Sequence, residues 1–140
     1  MSFHGTWEAT QRENVIPYLI ARGIGGLKRG KIAKGKSLVT IHRDGVSFTI
    51  IERWKPRVGK ETEMRYHCMA DGKTCTKSIH DDDVVMTTGL IENDTLILNL
   101  EAPYGKESVR RYLEGDEMVQ VNIVNGTVTM KQRFKKIENY

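Results

Sequence analysis

The residues in this 140-residue chain whose types could do chemistry fall into a few small groups. His80-Asp81-Asp82-Asp83 offers carboxylates to a divalent cation. It lacks the spaced ligands and the glycine of a calcium loop, so it reads as an acidic turn between strands. His67-Cys68 has the residue types of a nucleophile and its base. Neighbours on a strand point to opposite faces, so the pair cannot share the hydrogen bond that activation needs. His4, His42, His67 and His80 show no metal-ligand spacing. No catalytic residue, metal site or cofactor is assigned. Arg110-Arg111 points to binding instead. On a strand one of the two turns inward, and a buried guanidinium is costly unless paired with an anion or several acceptors. Its partner is either a structural carboxylate or a ligand carboxylate. Lys28, Arg29, Lys31, Lys34 and Lys36 crowd nine residues and form either a solvated helix face or a contact for a membrane or nucleic acid. The stretch GIGGLKRGK within it lacks the spacing of a phosphate-binding loop.

The elements that position these groups are clearest at the C-terminus. Alternating runs flank Asn125-Gly126, and another precedes Gly115-Asp116, which reads as a β-meander with tight turns. After Gly126, Val128, Met130, Gln132 and Phe134 share one face, while Thr129, Lys131, Arg133 and Lys135 take the solvent face. Gln132 is the polar interruption on the inward face and needs a partner. A two-residue loop at Asn125-Gly126, which hydrophobic periodicity alone favours, would turn Val119, Val121 and Ile123 inward. A three-residue loop, with a type I turn and Gly126 left-handed, flips the parity and brings Gln120 and Asn122 in beside Gln132.

The rest of the chain is consistent with one domain over residues 1–140, large enough for a core or an internal cavity. The N-terminus has neither the basic start nor the apolar stretch of a signal peptide, and no apolar run approaches the ~20 residues of a membrane span. Cys68 and Cys75 read as a reduced thiol pair. The net charge of +4 permits attraction to anionic partners without requiring it. A strand over 3–10 carries Trp7 as a core anchor. Asn14 is placed to cap a first helix, with Pro17 early enough to be tolerated, and Gly23 to Gly26 ends it. A second short helix spans 27–34. Six further strand signals lie between Ser37 and Glu101, one of them over 73–80, and with the three of the C-terminal meander they bring short strands and turns at regular intervals, as in a sandwich or an antiparallel barrel.

Together these residues resemble the intracellular lipid-binding proteins, the family of fatty-acid-binding and cellular retinoid-binding proteins. The likeness runs essentially end to end. Phe3-His4-Gly5-Thr6-Trp7 resembles the family's opening F-x-G-x-W. Asn14 and Tyr18-Leu19 match the first helix, Gly23-Ile24-Gly25 the link, and Arg29 to Ala33 the second helix. Lys131-Gln132-Arg133-Phe134-Lys135-Lys136-Ile137 resembles the last strand. Each motif is short; their order and spacing make the combination specific. The resemblance implies a mainly β fold: a ten-stranded antiparallel up-and-down β-barrel, a lipocalin-like β-clam of the calycin type. A helix-turn-helix lid would close a water-filled cavity that takes one or two hydrophobic ligands, with no catalytic activity. It also favours the three-residue loop. Arg111 to Gly126 aligns without gaps to retinol-binding and intestinal-type members, and Gln132 reaches the head-group position only with one extra residue at the turn.

The departures bear on the ligand. Many fatty-acid binders carry Arg-x-Tyr on the last strand; here it is Gln132-Arg133-Phe134. Glutamine there is similar to retinol-binding members, while Arg111 beside Gln120 is closer to the intestinal fatty-acid pattern. The resemblance therefore implies intracellular binding and transport of long-chain fatty acids, with the carboxylate near Arg111, Gln120, Gln132 and Phe134. Retinol, another retinoid or a neutral hydrophobic ligand is the alternative. Val15, Tyr18, Leu19, Ile24, Ala33, Trp54 and Met130 are expected at the cavity and portal, and Lys28, Arg29, Lys31 and Lys34 at a lid touching anionic membranes transiently. A monomer is expected, cytoplasmic with the nucleus as a second compartment. A lipid hydrolase or isomerase would need a nucleophile or acid–base pair in the cavity. Nucleic acid is not an expected partner, because the basic residues concentrate in the lid instead of alternating with exposed aromatics on a sheet.

Overall fold

The computed structural model describes residues 2–69, 71–74, 76–78 and 86–138. Strand β1 (Gly5–Glu13) leads into helices α1 (Val15–Ala21) and α2 (Gly26–Lys34). There follow β2 (Lys36–Asp44), β3 (Ser47–Lys55), β4 (Thr62–Met69), β5 (Asp71–Thr74) and β6 (Thr76–Ser78). The chain finishes with β7 (Met86–Glu92), β8 (Thr95–Ala102), β9 (Gly105–Glu114), β10 (Glu117–Val124) and β11 (Val128–Glu138). All lie in one antiparallel sheet in the order β5-β7-β8-β9-β10-β11-β1-β2-β3-β4-β6. The expected mainly β, up-and-down barrel with a helix pair is what forms. Eleven segments replace the expected ten because the strand expected over 73–80 is divided. β5 pairs with β7, whereas β6 pairs with β4. Two segments adjacent in the chain thus sit on opposite edges of the sheet, which curls it toward closure.

Two local departures from regular pairing aim the side chains. Val124 pairs with Val128, leaving Asn125, Gly126 and Thr127 as a three-residue connection. Asn125 and Gly126 both have left-handed φ, 51° and 71°, and the Thr127 N–H donates to the Val124 carbonyl at 3.1 Å. The turn is therefore of type I′ with Thr127 as the extra residue, rather than the type I turn expected. The second departure is a register shift in β1 between Ala9 and Gln11. Ala9 pairs with Phe134 and Arg12 with Gln132, so the added residue moves Arg12 onto the face that Trp7 and Ala9 occupy.

Asn14 does not cap α1 with its side chain. It adopts φ 64°, and its amide donates to the Thr129 carbonyl at 2.8 Å, tying the helix entry to β11. The far end of the helix pair is held by Arg12. Its guanidinium donates to the carbonyls of Ile32, Ala33 and Gly35, closest at 2.8 Å to Gly35, and so satisfies the open C-terminus of α2. The Trp54 indole adds a bond to the Ile32 carbonyl at 3.2 Å.

One end of the barrel interior is solid. Trp7, Val39, Ile41, Phe48, Ile50, Tyr66, Leu96, Leu98, Val109, Met118 and Phe134 pack there as one apolar cluster. Trp7 is fully buried, and its indole N–H donates to the Phe3 carbonyl at 2.8 Å. A smaller cluster of Tyr18, Leu19, Val124 and Met130 roots α1 on the sheet. His67 is exposed and Cys68 buried, as alternation on a strand requires. The expectation of a reduced thiol pair is corrected: Cys68 is disulfide-bonded. β6 returns along β4 with Thr76 opposite His67, so the chain doubles back beside Cys68. Cys75 and the His80-Asp81-Asp82-Asp83 stretch lie outside the described residues. Among the described residues no cluster of three metal-ligating side chains occurs, and no helix is long and apolar enough to cross a membrane.

Candidate ligand-binding site

Between the helix pair and the packed end, the barrel leaves a cavity of about 490 Å³. That lies within the ~300–1,000 Å³ typical of small-molecule sites. Val15, Leu19 and Ile24 from the helical segment, with Ile32, Trp54, Met64 and Met130, give it apolar walls. Gln120, Asn122 and Gln132 line its polar side. Four cations (Arg12, Arg22, Lys28 and Arg53) and two carboxylates (Glu52 and Glu63) also line it, so its walls carry more positive than negative charge.

The strand register places the polar groups in a lateral row. Arg111 on β9 pairs with Gln120 on β10, Gln120 pairs with Gln132 on β11, and Gln132 pairs with Arg12 on β1. Paired residues share a face, so the row runs across four strands. Arg111 is fully buried. Its Nη2 donates to Glu52 Oε2 at 2.8 Å and its Nε to Gln120 Oε1 at 3.0 Å. The chain of bonds continues from Gln120 Nε2 to Asn122 Oδ1 at 2.8 Å and from Asn122 Nδ2 to Glu107 Oε2 at 2.8 Å.

Glu107 is the second anchor of this network. It is buried on β9 and accepts from the Tyr18 hydroxyl at 2.6 Å and the Tyr104 hydroxyl at 2.7 Å. Arg22 Nε stands 3.4 Å from its other oxygen. Tyr18 and Arg22 belong to the α1 segment, so one buried carboxylate joins the lid to the barrel wall. Burial, reinforced by the Glu107 charge, raises the Tyr18 and Tyr104 hydroxyls above the ordinary tyrosine range. Both therefore remain donors at neutral pH.

Six of the seven residues expected at the cavity and portal, Val15, Tyr18, Leu19, Ile24, Trp54 and Met130, line it. Ala33 is half-buried away from the wall. Of the head-group set, Gln120 and Gln132 line the cavity, and Arg111 stands behind Glu52 and Gln120. Phe134 is instead part of the packed apolar end, because its β11 position pairs with Met118 and Ala9, one step beyond the polar row. In the lid, Lys28, Lys31 and Lys34 are exposed. Arg29 folds back to donate to the Ile24 carbonyl at 2.7 Å.

Of the two partners left open for Arg111, a structural carboxylate or a ligand carboxylate, the fold supplies the first in Glu52. The signal for Glu52 was present: it follows Phe48 and Ile50 on one face of an alternating run, with Trp54 next. Glu107 likewise shares the face of Val109 and Arg111. Arg12 carried no such signal, since only the β1 bulge turns it inward.

No protein-family model matches the chain. Mouse intestinal fatty acid-binding protein is 30% identical over 141 residues, covering 97% of this chain and 99% of that protein. The solved structure of the REP1-NXSQ fatty acid transporter superposes with a TM-score of 0.80 at 20% identity, covering 98% of this chain and 97% of that one. A Schistosoma mansoni fatty acid binding protein in complex with arachidonic acid superposes at 0.74 with 19% identity and 96% of each chain covered. These solved structures share with this chain the curled antiparallel barrel with its helix pair. With end-to-end identity at that level, the chain belongs to the intracellular lipid-binding protein family, alongside the fatty acid-binding proteins.

Proposed function

We propose that this protein binds and carries long-chain fatty acids in its barrel cavity, with the carboxylate directed toward Arg111, Gln120 and Gln132. The observation that carries this reading is the lateral row that sets a fully buried guanidinium beside two inward glutamines at a cavity with both apolar and polar walls. Each buried methylene contributes about 0.8 kcal/mol, so the tail supplies most of the affinity. The head group sets orientation and selectivity, since one hydrogen bond to a charged group contributes only about 1.5–3 kcal/mol. Calorimetry of oleate and oleyl alcohol on Arg111→Ala tests it. The acid should lose more affinity than the alcohol; equal losses would sink the carboxylate assignment.

The Arg111–Glu52 pair favours a second reading, a neutral ligand such as retinol, because the cavity arginine already has a counter-ion. Mass spectrometry of lipid extracted from the purified protein separates the two. Delivery is proposed to occur by contact of the lid with anionic membranes. Leu27 is 84% exposed on α2 beside Lys28, Lys31 and Lys34, and Ile16 and Ile20 are exposed on α1. Such lysines contribute about 1 kcal/mol each near an anionic surface. Transfer that is indifferent to vesicle concentration would mean release into water instead. The proposed setting is a cytoplasmic monomer without a nucleic-acid partner. A reducing cytosol would act against the Cys68 disulfide, and thiol titration of protein taken from its native source tests that compartment directly.

A further inference from the structure

Glu52 lies between the cavity and the arginine. It sits on β3, in the register that places Phe48 and Ile50 in the barrel core, and it lines the cavity. Arg111 does not line it. The side chain of Arg111 is 0% exposed and that of Glu52 is 30% exposed. The arginine is therefore fixed in place, held by Gln120 through Nε, while the acid has a route to water. Arg111 Nη1 has no hydrogen-bond partner among the described residues, so the guanidinium has unused donor capacity next to a partly exposed carboxylate.

The charge balance follows from this arrangement. With Glu52 in place, Arg111 and Glu52 sum to zero, so the buried guanidinium adds no net attraction for an incoming carboxylate beyond that of the other cavity cations, Arg12 beside Gln132 among them. A ligand carboxylate reaching Gln120 and Gln132 meets a like charge, which disfavours it at close range. It gains Arg111 only if Glu52 rotates away. A hydroxyl head group brings no charge and can leave the ion pair intact.

We propose that Glu52 is the specificity-determining residue of the cavity: an internal carboxylate that occupies Arg111, is displaced by acidic lipids and is left in place by neutral ones. This rests on the head-group site proposed above, so the test separates the two. Oleate and oleyl alcohol are titrated calorimetrically into the full-length wild-type protein, Glu52→Gln, Arg111→Gln and the double variant. Glu52→Gln keeps an acceptor for Arg111 Nη2 and removes the competing charge. Oleate should then bind about tenfold tighter or more, the strength of one charge-assisted hydrogen bond, while oleyl alcohol changes little. Should Glu52→Gln fail to fold with its arginine unneutralised, the comparison of Arg111→Gln with the double variant still tests whether the Glu52 charge disfavours an acidic head group. Removing Glu52 from the arginine-free cavity should strengthen oleate selectively. An acid-to-alcohol ratio unmoved by Glu52→Gln, yet lowered by Arg111→Gln, overturns the role of Glu52 and leaves the head-group site standing. A ratio that ignores Arg111 as well overturns both.

Discussion

Tyr18→Phe is a direct probe of how the lid is held. The substitution removes one oxygen from a side chain that is 6% exposed. That oxygen donates to Glu107 Oε2 at 2.6 Å and lies 3.4 Å from Asn122 Nδ2. Glu107 retains Asn122 and Tyr104, so its charge is not stranded by the change. The main loss is one buried hydrogen bond to a charged acceptor, worth about 1.5–3 kcal/mol; the longer bonds that the hydroxyl accepts from Asn122 Nδ2 and, at 3.5 Å, from Arg22 Nη1 go with it. The unfolding entropy of a chain this size is roughly 0.3 kcal/mol/K, so the midpoint should fall by about 5–10 °C. Guanidinium denaturation followed by tryptophan fluorescence and circular dichroism measures the free energy, and hydrogen exchange locates it. Exchange should quicken in α1 before β10. Tyr104→Phe is the control, because its hydroxyl bonds the same carboxylate at 2.7 Å from a half-buried position and should cost less. A loss below about 0.5 kcal/mol in Tyr18→Phe, or one no larger than in Tyr104→Phe, would refute Glu107 as the tie between lid and barrel.

Alkali should weaken the same junction. Tyr18 and Tyr104 are held neutral in the folded protein, so the unfolded chain ionises first. Their contribution is full below about pH 10 and is lost above it, at about 1.4 kcal/mol per pH unit for each tyrosine until the raised folded value is passed. Denaturant midpoints on either side of that pH should show a shallower slope in Tyr18→Phe. Arg12→Leu should cost on the order of 1–3 kcal/mol by unbinding the α2 carbonyls, and exchange should accelerate in the last turn of α2. Unchanged exchange there would show that Trp54 suffices to hold the helix. Gly89→Ala should cost about 1–3 kcal/mol, because an added Cβ would stand 2.8 Å from Cys68 Sγ and 2.9 Å from Phe48 Cζ. A wild-type midpoint in that variant would mean β4 and β7 can separate without loss.

Strand and helix positions were largely legible in the sequence because they depend on local chemistry. Alternation in β10 and β11, the left-handed preference of Asn125-Gly126 and the glycines after α1 act over a few residues. The inward placement of Gln120 and Gln132 was legible only in part. It depends on a single added residue at the turn, and hydrophobic periodicity alone favoured the opposite face. Arg12 was not legible, since a bulge in β1 reverses its parity and nothing in the local sequence marks the bulge. The tertiary structure alone decided what Arg111 touches. Burial demanded an anion, and the sequence offered many carboxylates. Only the curling of the sheet brings Glu52 on β3, 59 residues away in the chain, to within 2.8 Å of the guanidinium. The same closure brings Tyr18 and Glu107 together across 89 residues. A side chain's type determines what it needs, whereas the partner that meets the need is set by contacts between strands and helices far apart in the chain.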